Sequence, residues 1–288
     1  MDLKQLRPGP LSAAAIACLA AGQFLTGNMT YVILRGFGHA PPWARVLRIH
    51  LLSQAAKYLP AGGLLNVGAQ AIGLSRLPGT GLLSAGTAVG LMVVLVCSGA
   101  AATYGLSHII STGSLSPWAA GALLILPVAA VFAARPLGWW ARADALLARF
   151  GLRSAVGSIA WASSLRRAGV LTGLAFAAWL AFSGGAVALA GDMVALDFRL
   201  GAQIAGAAAL SWLVGFSAII APAGLGVREV TLMLLLEPLL PQPWPAVYPV
   251  AARVSWVLAD LVNLPIGWLA FRPRAIRPLA SCSSVTHR

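Results

Sequence analysis

The chain has 288 residues, 59% of them hydrophobic and 9% charged, with a mean hydropathy of +0.84. A soluble domain carries about a quarter charged residues, so this composition excludes one and predicts an all-α integral membrane protein. A formal charge of +13 would point to nucleic acid in a soluble protein, but here the Arg residues flank apolar segments, where they anchor spans and attract anionic lipid. Membrane phospholipid is therefore the expected partner, and nucleic acid is not.

The first apolar run, residues 11–34, follows Lys4 and Arg7 and imitates a signal peptide with cleavage near Ala21. It continues through Val32 to Leu34, beyond the length of a signal-peptide core, which predicts a retained first helix. Residues 46–73 come next and contain Arg48, His50, Lys57, Pro60, Gly62 and Gly63. No lipid-facing helix has that content. Pro removes a backbone donor and the Gly pair loosens the chain, so a break is expected near Pro60, and broken backbone at membrane depth survives only where protein or water covers it. The segment then either crosses once as a broken helix or enters and leaves as a re-entrant pair of half-helices.

Residues 82–106 form a further span and residues 117–134 a shorter one. In the connection 135–168, Trp139, Trp140, Ala143, Leu146, Leu147 and Phe150 fall on one helical arc, with Arg142, Arg149 and Arg153 on another. That pattern predicts an amphipathic helix lying on the cytoplasmic leaflet. Residues 170–190, 202–220 and 246–271 are long enough to span, 225–240 is shorter, and 272–288 reads as a disordered cytoplasmic tail. The Arg-rich connection and Arg272, Arg274 and Arg277 belong inside, whereas 107–116 and 237–248 carry no Lys or Arg and belong outside. If 46–73 crosses once, the result is a single polytopic domain, residues 1–271, of about eight transmembrane helices. Both termini are then cytoplasmic, in a plasma (inner) membrane. The re-entrant alternative has seven spans and an external N-terminus.

Pro60-Ala61-Gly62-Gly63 is echoed by Pro222-Ala223-Gly224-Leu225-Gly226, a Pro-Gly break at a similar place in each of two half-chains, 1–134 and 169–271. Interrupted segments at matching positions of two halves are a pointer to a transporter's central site. Polar residues gather near both breaks. His50, Gln54 and Lys57 follow i, i+4, i+7; Asn66 and Gln70 follow i, i+4; Arg253, Trp256, Asp260 and Asn263 share a face of the last helix; Arg228 and Glu229 follow the second break. Taken singly, Arg228 and Arg253 read equally well as helix-end anchors and Asp260 as an internal salt bridge. Together they predict a polar cavity, in which Lys57, Arg228 and Arg253 bind phosphate, His50, Gln54, Asn66 and Gln70 line the wall, and Glu229 and Asp260 orient or gate the cations. No HExxH, metal-spaced Cys/His cluster or GxSxG elbow occurs, so neither a catalytic residue nor a cofactor is expected. Cys18 and Cys97 lie in apolar spans and Cys282 in the tail, which gives no disulfide framework.

Gln54-Ala55-Ala56-Lys57-Tyr58-Leu59-Pro60 resembles the Lys-Tyr-(Leu/Ile/Val)-Pro-Gly signature of the lysylphosphatidylglycerol synthase transmembrane region, the flippase-like family. Pro222 to Glu229 is similar to that family's Pro-x-Gly-Gly-Leu-Gly-x-Arg-Glu, and Arg253 with Leu264-Pro265-Ile266-Gly267 resembles its last-helix pattern. The resemblance implies an eight-helix bundle that moves, or helps to move, a phospholipid or lipid-linked sugar with a polar head group between leaflets. It also implies a glycosyltransferase or aminoacyl-lipid synthase as partner, since members occur fused to such enzymes or alone. The alternative it leaves open is a non-catalytic accessory or transferase subunit of a lipid-linked sugar or aminoacyl-lipid pathway. Ala61 and Ala223 stand where that family's pattern has Gly.

Overall fold

A computed structural model describes residues 9–134, 165–218 and 221–270. The expected amphipathic helix of the connection and the expected tail fall outside them, apart from Arg166 and Arg167, which lie in the first turn of a long helix. Nine α-helices occur among the described residues: α1 (Pro10–Gly36), α2 (Trp43–Ser53), α3 (Gly62–Ser75), α4 (Leu82–Thr112), α5 (Pro117–Ala134), α6 (Leu165–Gly191), α7 (Phe198–Ser217), α8 (Val227–Leu236) and α9 (Trp244–Pro265). No strand is present among them. Five helical stretches are long and apolar enough to cross a membrane, namely Pro10–Gly36, Leu82–Thr112, Arg166–Gly191, Phe198–Ser217 and Trp244–Leu269. This is the make-up of a multi-pass membrane protein.

Local chemistry sets the ends of these helices. The Asp192 carboxylate accepts hydrogen bonds from the Ser12 N–H at 2.7 Å and the Ser12 hydroxyl at 2.6 Å, which satisfies first-turn donors of α1. Asp197 is the N-cap of α7, accepting from Leu200 N–H at 2.7 Å. Gly113, at φ 70°, closes α4 in the left-handed conformation.

The segment 46–73, which the eight-span expectation needs as a single crossing, is divided into two helices. Helix α2 ends at Ser53, a 3₁₀ turn covers Gln54–Tyr58, and Ala61 is left-handed (φ 58°, ψ 30°) before α3 begins. The chain then doubles back. Gly73 abuts Ile49, where a methyl group on Gly73 would lie 2.7 Å from Ile49 Cγ2, and Gln70 is hydrogen-bonded to His50 at 3.0 Å. A single crossing would separate residues 49 and 73 by roughly 36 Å at 1.5 Å per residue. Pro60 lies in the turn itself, so the break reverses the chain instead of kinking one helix.

The second Pro-Ala-Gly does the same. Helix α7 runs down to Ser217, the 3₁₀ turn Pro222–Gly224 reverses the chain, and α8 returns beside α7, with Leu232 and Leu236 in one apolar cluster with Ile204 and Ala207. A methyl group on Gly224 would lie 2.6 Å from the Gly215 carbonyl oxygen, so this close approach requires glycine. The expected short span 225–240 is therefore the ten-residue α8. At about 15 Å it reaches half the depth of a bilayer core.

The hairpins come from opposite ends of the bundle. Helices α1 and α6 are antiparallel, because Gly191 meets Leu11 and Gly185 meets Ala15 and Leu19. The α2/α3 hairpin follows the end of α1 and the α7/α8 hairpin follows the end of α6, and their tips touch. The order long helix, hairpin, long helix thus occurs twice with opposite direction. Helix α9 runs parallel to α1: Tyr248 donates to Ala186 O at 2.7 Å, beside the start of α1, and Asn263 donates to Ala20 O at 3.3 Å further along it. Pro10 and Ala270 consequently lie at opposite ends. Between the hairpins sits an aromatic core, in which Trp179 donates to Val96 O at 2.7 Å and meets Phe182 and Trp212 edge-on at 5.4 and 5.5 Å.

Candidate functional site

Where the two tips meet, a cavity of about 150 Å³ opens. The first hairpin contributes His50, Gln54, Lys57, Asn66 and Gln70, the second Gly224 and Arg228, and α9 contributes Arg253 and Trp256. The furthest apart of these in sequence are His50 and Trp256, 206 positions. Glu229 and Asp260 stand just behind this wall and bind its cations.

Asp260 is the hub of one cluster. It is 3% exposed, and its carboxylate faces the Lys57 ammonium at 2.7 Å to Oδ2 and 2.9 Å to Oδ1. The Tyr58 hydroxyl donates to Oδ2, and Gln23 Nε2 donates to Oδ1 at 2.6 Å. Gln23 in turn accepts from Asn263 at 3.0 Å. A charge pair removed from water needs such extra donors to offset its desolvation. The cluster also ties the tip of the first hairpin to α1 and α9.

Arg253 serves the second tip. Its guanidinium donates to Ala223 O at 2.9 Å and approaches Pro222 O at 3.5 Å, the latter also accepting the Leu225 N–H at 2.9 Å within the turn. It also faces Glu229 Oε1 at 3.4 Å, close enough for attraction without hydrogen-bond alignment. The other Glu229 oxygen accepts the Gly226 N–H at 2.7 Å and so caps α8. Ala223 is left-handed (φ 49°, ψ 29°), as Ala61 is, a conformation that costs a non-glycine residue about 1–2 kcal/mol.

Arg228 is different. No carboxylate lies within ion-pair distance of it among the described residues. Its guanidinium lies over the Trp256 ring, 4.7 Å from the centroid, and the Lys57 ammonium is 5.6 Å from the same centroid. Trp256 therefore carries two cations against one aromatic ring, attracted by its quadrupole. Gly215 makes room for this, since a methyl group there would lie 2.8 Å from Arg228 Cβ.

The inner wall is neutral and polar. Gln70 Nε2 can only donate, which makes His50 Nδ1 an acceptor, so the proton sits on His50 Nε2 and is given to Thr26 Oγ1 at 2.9 Å; Thr26 passes its own to Gln23 O at 2.7 Å. The buried side-chain oxygen of Asn66 has no hydrogen-bond partner among the described residues. The spacing i, i+4, i+7 that groups His50, Gln54 and Lys57 presumes one continuous helix. The structure brings them together although Gln54 and Lys57 lie in a 3₁₀ turn. Gln23, Thr26 and Trp212 were not singled out from the sequence, and Tyr58 only as part of the Lys-Tyr signature. Gln23, Thr26 and Thr30 at i, i+3, i+7 of an otherwise apolar span are the signal that marks that face of α1. Among the described residues, no group of three or more His, Cys, Asp and Glu side chains could hold a metal ion.

Comparison with protein-family models, curated proteins and solved structures finds no match to this chain.

Proposed function

We propose that the protein is a flippase-type transporter that moves a lipid with a polar, phosphate-bearing head group between membrane leaflets, the head group passing through the cavity between the two hairpin tips. The observation that carries this reading is Arg228, a cation at the cavity wall with an aromatic ring beneath it and, among the described residues, no carboxylate within ion-pair distance. A charge kept inside a membrane without an internal counter-ion is costly and marks a place for an external one. The half-helices support the same reading, since α3 and α8 both begin at the tips and turn their positive ends towards the centre. Leu59, Leu64, Leu65 and Leu225 are exposed around the tips, an apolar surface suited to acyl chains that stay in the bilayer.

The bundle end bearing Arg35, Arg76 and Arg166 is the cytoplasmic one in this proposal. The connections 113–116, 192–197 and 237–243 at the other end contain no Lys or Arg and hold Asp192, Asp197 and Glu237. The membrane is the plasma (inner) membrane.

The test is reconstitution into liposomes with a fluorescent anionic phospholipid, reading the rate at which its head group becomes accessible to an external quencher. Native protein accelerates this, and Arg228→Ala slows it by about tenfold or more while insertion is unchanged, the loss expected for one charge-assisted contact. No acceleration by native protein would refute transport, and a covalently altered lipid would indicate the transferase-subunit alternative.

A further inference from the structure

The first hairpin is fastened at its root as well as at its tip. Helix α2 starts after the connection 37–42, and α3 ends before the connection 76–81. His39 joins the two connections. Its backbone N–H donates to Leu34 O at 3.2 Å, over the end of α1, and the Phe37 ring meets its imidazole edge-on at 6.4 Å. The imidazole is hydrogen-bonded across the root to the backbone of Gly79, and its Nε2 is shut off from solvent without a partner among the described residues. Nδ1 is therefore the bonded nitrogen, carrying the proton and donating to the Gly79 carbonyl. The neighbouring Thr80 is 4% exposed, and its hydroxyl has no partner among the described residues either.

The closed root thus holds two buried polar atoms that opening would give to water, and one of them is a base. A proton added at Nε2 makes an N–H that finds no acceptor, on a cation that finds no counter-ion. No carboxylate lies within ion-pair distance of His39 among the described residues. The charged residues of α1, α2 and the two connections are Arg35, Arg45, Arg48 and Arg76, with His50 further along α2. Helices α3 and α4 contain no Asp, Glu, Lys or Arg, and α6 brings Arg166 and Arg167 to the same end of the bundle. Every fixed charge of these elements near the root is a cation. Burial holds His39 below the ordinary histidine value of 6.5, against the opposing effect of the Gly79 carbonyl. A base that is harder to protonate in the closed root than in the open one leaves closure at full strength above about pH 6.5. Closure weakens as the pH falls below that value, by up to about tenfold in the opening equilibrium for each pH unit. The second hairpin has no counterpart, since its connections 192–197 and 237–243 contain no histidine.

We infer that His39 is a pH-sensitive latch at the root of the first hairpin: neutral, it fastens the connection before α2 to the connection after α3, and protonated, it lets the two part and frees the arm that carries Lys57 to the cavity. The inference concerns the motion of the hairpin and holds whether or not the cavity takes a lipid.

Thiol labelling of purified protein in detergent reads the latch. In a background lacking the three native cysteines, Thr80→Cys places a reporter that is buried while the root is closed, and Pro78→Cys, on the exposed part of the same connection, corrects for the effect of pH on thiol chemistry. The ratio of Thr80→Cys to Pro78→Cys labelling rates is expected to be low and constant from pH 8 to pH 7 and to rise by about tenfold or more between pH 7 and pH 5. His39→Gln keeps a side-chain donor for the Gly79 carbonyl but takes up no proton, and it should hold the ratio low at every pH. His39→Arg, with a permanent charge, should hold it high. A ratio that stays flat down to pH 5 in the presence of His39 overturns the inference, and so does a rise that survives in His39→Gln, which would place the sensor elsewhere, as at His50. Hydrogen exchange of the native chain gives a second reading that needs no variant. The Thr80 N–H donates to Leu77 O at 3.0 Å, and protection of the segment 76–81, corrected for the intrinsic effect of pH on exchange, should fall over the same range. Unchanged protection there overturns the latch whether or not the variants fold.

Discussion

Lys57 and Asp260 are a charge pair that neither partner can leave without harm. Lys57 is 18% exposed and Asp260 3%, so both are largely out of water, and Tyr58 and Gln23 complete the Asp260 coordination. Asp260→Asn should cost about 3–5 kcal/mol, because it strands an ammonium at depth, and the double replacement Lys57→Met with Asp260→Leu should be less damaging than Asp260→Asn alone. Thermal unfolding of purified protein in detergent measures this. Additive losses would show that the two side chains do not act as a pair. The sequence made these residues visible as chemistry because ionisable groups are conspicuous in apolar spans. It did not reveal which cation meets which carboxylate: Lys57 and Asp260 are 203 positions apart, and their pairing depends on a chain reversal that helical spacing does not encode.

At the scale of elements, the two Pro-Ala-Gly stretches were legible as breaks, and the long spans were legible to within a few residues. For example, the predicted 11–34 is Pro10–Gly36 and the predicted 82–106 extends to Thr112. What hydropathy could not separate is a broken crossing from a hairpin, since both have the same composition and differ only in whether the second half continues or returns. The deciding contacts are between the halves. Ile49 Cβ lies 3.7 Å from where a Cβ on Gly73 would stand, within the range that a disulfide spans. In a background lacking the three native cysteines, Ile49→Cys with Gly73→Cys should therefore cross-link on mild oxidation. A straight or kinked crossing would keep these positions roughly 36 Å apart and give no cross-link.

For the whole molecule, the two hairpins set the direction in which the helices on either side of them run. Each hairpin returns to the end it left, so whatever depth its helices reach, it adds no net crossing. The remaining long elements α1, α4, α5, α6 and α9 run alternately: Gly191 beside Leu11 fixes α6 against α1, and Ala119 beside Gly105 folds α5 back on α4. These five elements alternate in direction, and Pro10 and Ala270 accordingly lie at opposite ends of the bundle. The same alternation gives the two hairpins opposite directions, which is what allows their tips to meet and present Lys57 and Arg228 to one cavity. An epitope fused ahead of Met1 should be reached from outside the cell, together with single cysteines at Gly113 and Pro243, while a cysteine at Gly79 should react only after the membrane is made permeable. An epitope found on the cytoplasmic side, with Gly113 and Pro243 still outside, would require one more crossing before α4. That crossing could come only from straightening the α2/α3 hairpin, and straightening it would carry Gln70 away from His50 and dismantle the cavity along with the topology.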